Sequence, residues 1–186
     1  MPHLVHLLGP ADRDALHEHF AQLSHHDLRL RFGHVPDPGR LRRYVDDLDF
    51  GRDTVFGVRS DERLAGVTHV ALFDGAAELG LSVLPGYRGQ GAAAAMFDRS
   101  VLHARNRGVV ELFMHCLSEN QAMRKLARRA GMRILVEGTE TDAWVELAPG
   151  NPFTVGQELA AQQLALVDET LRVQLALARS LATLED

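Results

Sequence analysis

The sequence is poor in cysteine, tyrosine and tryptophan, and each shortage narrows the chemistry open to it. Cys116 is the single cysteine among 186 residues, so no disulfide can form within the chain. It lies in an apolar segment with the composition of a strand, where we expect a buried and unreactive thiol. A chain without a disulfide framework fits a reducing compartment, and we expect a cytoplasmic protein.

Long hydrophobic runs and an excess of positive charge are also missing. No apolar run approaches the roughly 20 residues that cross a bilayer, and residues 1–6 lack the features of a signal peptide. The formal net charge of -5 gives no general attraction to phosphate backbones. We therefore expect neither a membrane nor a nucleic acid as a partner. The histidines form no His-x-x-x-His pair, and we expect no metal site.

The hydrophobic residues that are present predict one domain with alternating strands and helices. A hydrophobic content of 46% over 186 residues is enough for a full core. Helices are predicted to begin near Pro10, Pro38, Ala92 and Asn120. Period-2 patterns and turn residues predict strands at residues 3–8, 54–59, 64–73, 78–84, 109–117, 133–137 and 143–147.

The segment from Glu78 to Ala93 is the most informative part of the chain. An apolar strand runs into a turn that opens an alanine-rich helix. Glycine has no side chain to hold a ligand away, so backbone amides near the helix start can converge on an anion. The helix dipole and the Arg88 guanidinium add positive potential there. We predict a pyrophosphate site built from Arg88, Gly89, Gln90, Gly91, Ala92 and Ala93.

Two other interpretations of these glycines have less support. Gly89-x-Gly91-x-x-Ala94 also fits a dinucleotide-binding pattern, with Glu111 twenty residues after Gly91. However, residues 85–88 separate the strand from the glycines, and too few βαβ units follow. The other interpretation is a plain strand-to-helix turn without a ligand.

Arg88-x-x-Gly91-x-Ala93 resembles the Gln/Arg-x-x-Gly-x-Gly/Ala signature of the GNAT family of N-acetyltransferases. A second segment, Asn120-x-x-Met123-x-x-Leu126-Ala127-x-x-x-Gly131-Met132, is similar to a family helix at the expected distance. The resemblance covers about residues 54–148. Residues 22–33 and 120–127 look like those of bacterial Pat-type protein lysine acetyltransferases, so that group is the nearest one by resemblance.

The resemblance implies an α/β fold with a mixed, mostly antiparallel sheet that splays to admit acetyl-coenzyme A, with helices on both faces. It implies that backbone groups of Leu81 and Val83 bind the pantetheine arm, while the loop holds the pyrophosphate. Asn120 matches a residue that binds the arm, although it can also serve as a helix cap. Ser118 and Gln121 form a capping-box pattern that would leave Asn120 free for the ligand.

Glu78 is the candidate general base. An amine of pKa about 10.4 is almost wholly protonated at neutral pH, so a base or a water relay must accept its proton. Strand alternation places Glu78 on one face with Gly80 and Ser82. Pat-type enzymes have a matching strand glutamate with this role, which the resemblance implies for Glu78. An ordinary solvated carboxylate at a strand end is the alternative.

The sequence departs from the family at Ala127, where many members have a tyrosine that acts as general acid. Tyr44 and Tyr87 are the two tyrosines, and Tyr87 belongs to the predicted phosphate loop. A tyrosine acid would therefore be Tyr44, or the thiolate leaves with help from water. His69 and His115 lie in predicted strands. Either they line a cleft, or they are core histidines whose ring nitrogens have hydrogen-bond partners within the protein. The acidic cluster Asp46, Asp47 and Asp49 can attract a cationic acceptor or form a solvated helix end.

Residues 150–186 form a predicted helical extension to an acetyltransferase domain at residues 1–149. A helix is expected from Thr154 to Leu184, with two apolar rows seven residues apart: Leu164, Leu171 and Ala178, and Leu159, Leu166 and Val173. Either the helix packs on its own domain or one row joins two copies into a homodimer.

By resemblance, the function is transfer of an acetyl group from acetyl-coenzyme A to a primary amine. A protein lysine is the first acceptor to consider, and small amines stay open. Because Ala127 cannot donate a proton, the alternative is a noncatalytic acyl-coenzyme A-binding module whose helical extension mediates assembly.

Overall fold

The computed structural model describes residues 3–60 and 63–182, which form an α/β fold with one sheet and helices on both faces. The strands are β1 (His6–Leu8), β2 (Thr54–Ser60), β3 (Arg63–Phe73), β4 (Ala76–Val83), β5 (Glu111–Leu117), β6 (Arg133–Glu137) and β7 (Glu140–Glu146). The helices are α1 (Arg13–Ala21), α2 (His25–Phe32), α3 (Pro38–Asp46), α4 (Ala92–Asn106), α5 (Gln121–Arg129) and α6 (Pro152–Ala182).

The seven strands follow the order β1-β2-β3-β4-β5-β7-β6, and their pairing is antiparallel except between β4 and β5. The β4–β5 pairing extends only over Ala76, Ala77 and Glu78. From Leu79 onwards β4 stays paired with β3 but separates from β5. The expected mixed and splayed sheet is therefore confirmed.

Two hydrophobic clusters lie on opposite faces of this sheet. One joins α4 and α5 to odd-numbered β4 residues such as Leu79 and Leu81. The other joins α1, α2 and α3 to residues such as Val55, Val67 and Leu84, the last of which directly follows β4. The alternation of β4 side chains between the two clusters follows from the two-residue period of a strand. Glu78, Gly80 and Ser82 consequently share the face covered by α1, α2 and α3.

Helix α2 has no counterpart among the helices predicted from the sequence. Ser24 caps it through a reciprocal pair of hydrogen bonds with Asp27, and Gly33 ends it in the left-handed region at φ 77°. The helix has only eight residues and a weak apolar periodicity, which explains why hydrophobic spacing does not indicate it.

Helix α6 packs on its own domain through polar and small residues. Glu158 accepts hydrogen bonds from Arg99 at 2.9 Å, His103 at 2.6 Å and Asn106 at 2.7 Å, all three on α4. Farther along, Asp168 lies 3.4 Å from the imidazole of His6. Helix α6 is thus fixed to α4 and to the first strand by charged contacts.

Both apolar rows of α6 face away from the domain. Leu164 and Leu171 are 60% and 53% exposed, and Leu166 and Val173 are 55% and 51% exposed. Neither row covers the core, because the inward side of α6 carries residues such as Glu158 and Ala165 instead. Residues 183 and 184 of the predicted helix lie outside the described part of the chain.

We expect the anchor of α6 to weaken in acid. Burial raises the pKa of Glu158, but hydrogen bonds from His103, Asn106 and Arg99 outweigh it and lower this pKa to about 2. A carboxyl with a depressed pKa contributes stability above its ordinary pKa, and this contribution is lost as the pH falls towards 2. Glu158→Gln should lower the free energy of unfolding at neutral pH by about 1–3 kcal/mol and flatten its acid dependence.

Urea unfolding of this variant over a range of pH measures both effects. The control is Glu146→Gln, because Glu146 has a side chain that is 77% exposed. Equal stability of the Glu158 variant and the wild type at neutral pH would contradict the role of Glu158 as an anchor.

The exposed rows of α6 support the prediction of a homodimer. Soluble monomers seldom expose a large continuous apolar face, and two rows with heptad spacing match the surface of a helix that pairs with a second copy. Leu164→Glu with Leu171→Glu, or Leu166→Glu with Val173→Glu, should separate the copies. Val110→Glu with Leu135→Glu replaces exposed apolar residues outside α6 with the same charge and should not. Light scattering checks both, and a monomeric wild type at micromolar concentration would contradict the dimer.

Candidate active site

The loop after β4 presents backbone amides at the start of α4. Gly89 and Gly91 adopt φ values of 74° and 94°, which residues with a side chain rarely adopt. A Cβ atom on Gly89 would meet no protein atom within 4 Å, so the space beside this glycine is open. The first bond of the helix runs from Ala95 N to Gly91 O. The amides of residues 92–94 therefore precede the helical ladder and are available to an anion.

The open edge of β4 carries a second set of backbone groups. Leu84 N donates to Ala65 O on the β3 side, and bonding directions alternate along an antiparallel pair. The amides and carbonyls of Leu79, Leu81 and Val83 consequently point towards the gap left by β5. Arg88 Nε already donates to Val83 O at 2.9 Å. Leu81 thus keeps both backbone groups directed into the gap.

A cleft of about 370 Å³ joins the loop to this gap. Its lining is mostly apolar and is contributed by β4, the loop that follows it, α2 with the preceding Leu23, α4 and α5. Of the residues predicted to bind the coenzyme, those that line the cleft are Leu81, Val83, Arg88, Gly89, Gly91, Ala92, Ala93 and Asn120. Lys125 and Arg129 of α5 also line it, which places two positive charges beside the cleft. Geometry of this kind suits a long ligand with an anionic part.

Gln90 does not line the cleft. Its side-chain amide donates to Gly86 O at 3.1 Å, and its own carbonyl accepts a hydrogen bond from His3 at 2.8 Å. These bonds hold the turn from the outside, so the side chain of Gln90 supports the loop rather than facing a ligand.

Asn120 is the cap of α5, and the expectation that Ser118 and Gln121 cap this helix is wrong. The Asn120 Oδ1 atom accepts from Met123 N at 3.1 Å, and its Nδ2 donates to Leu30 O at 3.3 Å. Ser118 Oγ instead donates to the Glu140 carbonyl at 2.9 Å. Asn120 borders the cleft, but both ends of its side chain have protein partners.

The Arg88 side chain is held by Asp27, a residue that the sequence did not single out. Arg88 Nη2 lies 2.8 Å from Asp27 Oδ1. Burial raises the pKa of Asp27, but hydrogen bonds from Ser24 and Arg88 outweigh it, so this pKa lies below its ordinary value. A charged Asp27 orients the guanidinium at the mouth of the cleft.

Glu78 lies where the parallel pairing ends, with Phe113 of β5 as its last partner. On the other side it pairs with Ala71, while Gly80 pairs with His69. Residues diagonal to each other on one face of a sheet are close neighbours, so Glu78 and His69 lie side by side. Glu78 is half-buried and does not line the cleft, but it lies beyond the closed end of the gap.

A hydrogen-bonded chain crosses this face of the sheet. Arg31 Nη2 donates to the Tyr44 hydroxyl at 3.0 Å, and that hydroxyl lies 3.1 Å from His69 Nδ1. His69 Nε2 lies 3.2 Å from Asp53 Oδ2, and Arg52 pairs with the same carboxylate. This arrangement fits a tautomer in which Nε2 carries the proton, so that the Tyr44 hydroxyl donates to Nδ1.

The pKa shifts of His69, Tyr44 and Asp53 agree with this placement of the protons. Burial lowers the pKa of His69, which favours its neutral form. Burial raises the pKa of Tyr44, and the hydrogen bond from Arg52 lowers that of Asp53 to about 2. The proton of Tyr44 is therefore directed to His69, and Tyr44 does not line the cleft. Its geometry does not favour the role of general acid.

The other sequence candidates lie apart from the cleft. Ala127 is buried in the core cluster of α4 and α5. His115 is exposed and bonded to Asp142 at 2.7 Å. Asp46 is bonded to His17 at 2.9 Å, and Asp49 accepts from Gly51 N at 3.0 Å.

Two further features bear on cofactors and membranes. Within residues 3–60 and 63–182, no three side chains of the metal-binding types lie together as an ion would require. Over the same ranges, the helices are too short or too polar to cross a bilayer.

Cys116 is buried, and burial raises the pKa of its thiol, as expected for an unreactive cysteine.

The sequence from residue 20 to residue 132 matches the acetyltransferase (GNAT) family, which is well over half of the chain. The chain belongs to this family. None of the curated proteins has a significantly similar sequence.

Solved structures with the same fold include several GNAT acetyltransferases. The GNAT domain of S. lividans PAT is 20% identical, with a TM-score of 0.67 over 77% of this chain and 89% of that one. The Salmonella typhimurium enzyme that modifies the N-terminal serine of ribosomal protein L7/L12 is 16% identical, with a TM-score of 0.63 over 77% and 94%. RimL in complex with coenzyme A is 17% identical, with a TM-score of 0.59 over 77% and 93%. At these identities the likeness shows the fold alone.

We expect Gly91→Val to abolish binding of coenzyme A. A side chain at this position is strained because residue 91 has a left-handed backbone conformation. It also occupies the space through which an anion would approach the amides of α4. Isothermal calorimetry measures the affinity. Gly108→Val is the matched control, because Gly108 ends the same helix with φ 78° but lies away from the cleft. Unchanged affinity in a folded Gly91 variant would refute a phosphate site in this loop.

Proposed function

We propose that the protein transfers an acetyl group from acetyl-coenzyme A to a primary amine. The observation that supports this most is the open edge of β4, which joins a loop of available amides at one end to Glu78 at the other. Residues 89–93 would hold the pyrophosphate, and the backbone of Leu81 would bind the pantetheine arm. The acetyl group would then lie near Gly80 and Glu78. Binding of coenzyme A by RimL, a protein of the same fold, supports this assignment.

In the proposed reaction Glu78 is the general base. A neutral amine attacks the thioester carbon, its nitrogen forms the new C–N bond, and the C–S bond breaks with the electron pair on sulfur. The proton of the amine passes to the Glu78 carboxylate, directly or through one water. The products are an amide, protonated Glu78 and the thiolate of coenzyme A, so that atoms and charge balance.

The acceptor we propose is an amine on a cationic polypeptide, with a protein lysine as the first candidate. The resemblance to Pat-type enzymes supports lysine, whereas one protein of the same fold modifies an N-terminal serine. The negative charge on the β5–β7–β6 half of the sheet supports the proposal of a cationic acceptor. On the face that carries Phe113, strand alternation places five exposed carboxylates: Glu111, Glu137, Glu140, Asp142 and Glu146.

The domain arrangement and location that we propose follow from the same observations. The acetyltransferase domain comprises residues 1–149, and residues 150–186 form an extension that serves as an assembly helix. A single buried cysteine supports a reducing compartment such as the cytoplasm.

A noncatalytic acyl-coenzyme A-binding module is the second candidate, and Ala127 is the observation that favours it. Both candidates require coenzyme binding, but only the enzyme releases thiol when an amine is added. The acceptors to compare are a lysine peptide with a blocked N-terminus, a peptide with a free N-terminus and no lysine, and small amines. Binding without thiol release for every acceptor would favour the module.

We expect Glu78→Gln to lower turnover by roughly 10² to 10⁴ while the affinity for coenzyme A is unchanged. The amide keeps the size of the side chain but cannot accept the amine proton. Steady-state rates with the best acceptor measure the loss. Asp74→Asn is the control, because it removes an exposed carboxylate from the same hairpin at the turn between β3 and β4. Wild-type turnover in Glu78→Gln across pH would exclude the base role.

A further inference from the structure

Arg31 brings a positive charge to the point where β4 loses its neighbour. It lies in the last turn of α2, lines the cleft, and sits directly over Gly80. A Cβ atom on Gly80 would overlap the Arg31 guanidinium, so the absence of a side chain there is what lets the charge rest on the strand. Gly80 lies between Glu78 and Ser82 on the same face of β4.

The Arg31 guanidinium has no carboxylate partner in the part of the chain that the structure describes. Its one hydrogen bond goes to the neutral Tyr44 hydroxyl, and its carbon lies 4.9 Å from the ring centre of Phe32 and 5.9 Å from that of Tyr44. Other buried or half-buried arginines have stronger partners: Arg59 and Arg99 pair with acids, whereas Arg13, Arg105 and Arg124 donate to backbone carbonyls. Arg31 therefore keeps donors that no protein group uses.

A half-buried charge without a counterion destabilises the folded protein unless a ligand or water pairs with it. The rings of Phe32 and Tyr44 hold the guanidinium in place from one side, and Gly80 gives it access to the strand from the other. The unused donors are thus preorganised towards the cleft, as in sites that stabilise charge developing during a reaction.

The proposed acetyl transfer creates such a charge on the sulfur of coenzyme A. Glu78 takes the proton of the amine, Ala127 has none to give, and Tyr44 directs its proton to His69. The sulfur must then leave as a thiolate. An arginine does not lose its proton in proteins, so it stabilises an anion by ion pairing rather than by acting as an acid.

We propose that Arg31 is a catalytic residue whose guanidinium pairs with the sulfur of coenzyme A as the C–S bond breaks. This inference rests on the proposed function, since it needs the thioester to lie along the open edge of β4. In this proposal Arg31 of α2 assists departure of the sulfur, a role that belongs in many family members to a tyrosine at the position of Ala127. The proton that completes the thiol comes from water after the amide has formed.

The direct test is the pKa of the thiol of coenzyme A bound to the protein. It is followed by the ultraviolet absorbance of the thiolate, with the protein bound to desulfo-coenzyme A as the blank. A guanidinium beside the sulfur favours the thiolate, so we expect this pKa to be higher by roughly 1 to 3 in Arg31→Gln than in the wild type. The rate of acetyl transfer should fall by roughly 10².

Two further variants separate this role from a merely structural one. Gly80→Ala keeps the arginine but displaces its guanidinium from the strand, so it should raise the thiol pKa as Arg31→Gln does. The double variant should then differ little from either single variant. Arg29→Gln is the matched control, because Arg29 lies on the same helix but pairs with Glu119 at the surface, and its thiol titration should match that of the wild type.

The outcomes distinguish this inference from the function on which it rests. If the wild type binds no coenzyme A, the proposed function fails. If Arg31→Gln and Gly80→Ala bind coenzyme A with an unchanged thiol pKa, the role of Arg31 is overturned and acetyl transfer by Glu78 still stands. Should Arg31→Gln lose its fold by circular dichroism, Gly80→Ala decides the question alone.

Discussion

The end of the pairing between β4 and β5 at Glu78 is the constraint on which the site depends. Had the ladder continued, Leu79, Leu81 and Val83 would bond to β5 and no cleft would form. Backbone groups left open inside an apolar cleft are costly unless a ligand or water satisfies them. The separation of the strands therefore favours a ligand with its own amides along this edge. The same separation leaves Glu78 at the closed end of the gap.

The parts of the site that depend on local backbone conformation could be predicted from the sequence. Gly89 and Gly91 adopt positive φ values, and the alternation along β4 places Glu78 and Leu81 on opposite faces. The strand at residues 133–137 has the predicted bounds. In each case the information lies within a few residues, because turn conformation and a two-residue period are local properties.

The parts that depend on contacts between distant segments could not be predicted. Asp27 and Arg88 form a close pair, but nothing in either segment indicates the other. The capping box expected at Ser118 and Gln121 is wrong, because the Asn120 side chain bonds to Met123 and to the distant Leu30 and thereby caps the helix instead. One signal was present for Arg31. A glycine inside a strand often marks the close approach of another group, and Gly80 is such a glycine.

Helix α6 inverts the usual distribution of apolar and polar residues, and its position links it to the site. Its inward side bonds to α4 through Glu158, whereas leucines such as Leu164 face outwards. The bonded residues of α4 lie towards the end of that helix, and its first turn presents the amides at Ala92. Since a helix moves largely as a rigid body, fixing the far end of α4 also fixes where those amides point. An assembly formed through the outward side of α6 would leave the bonds between Glu158 and α4 intact, because the two sides of the helix carry different residues.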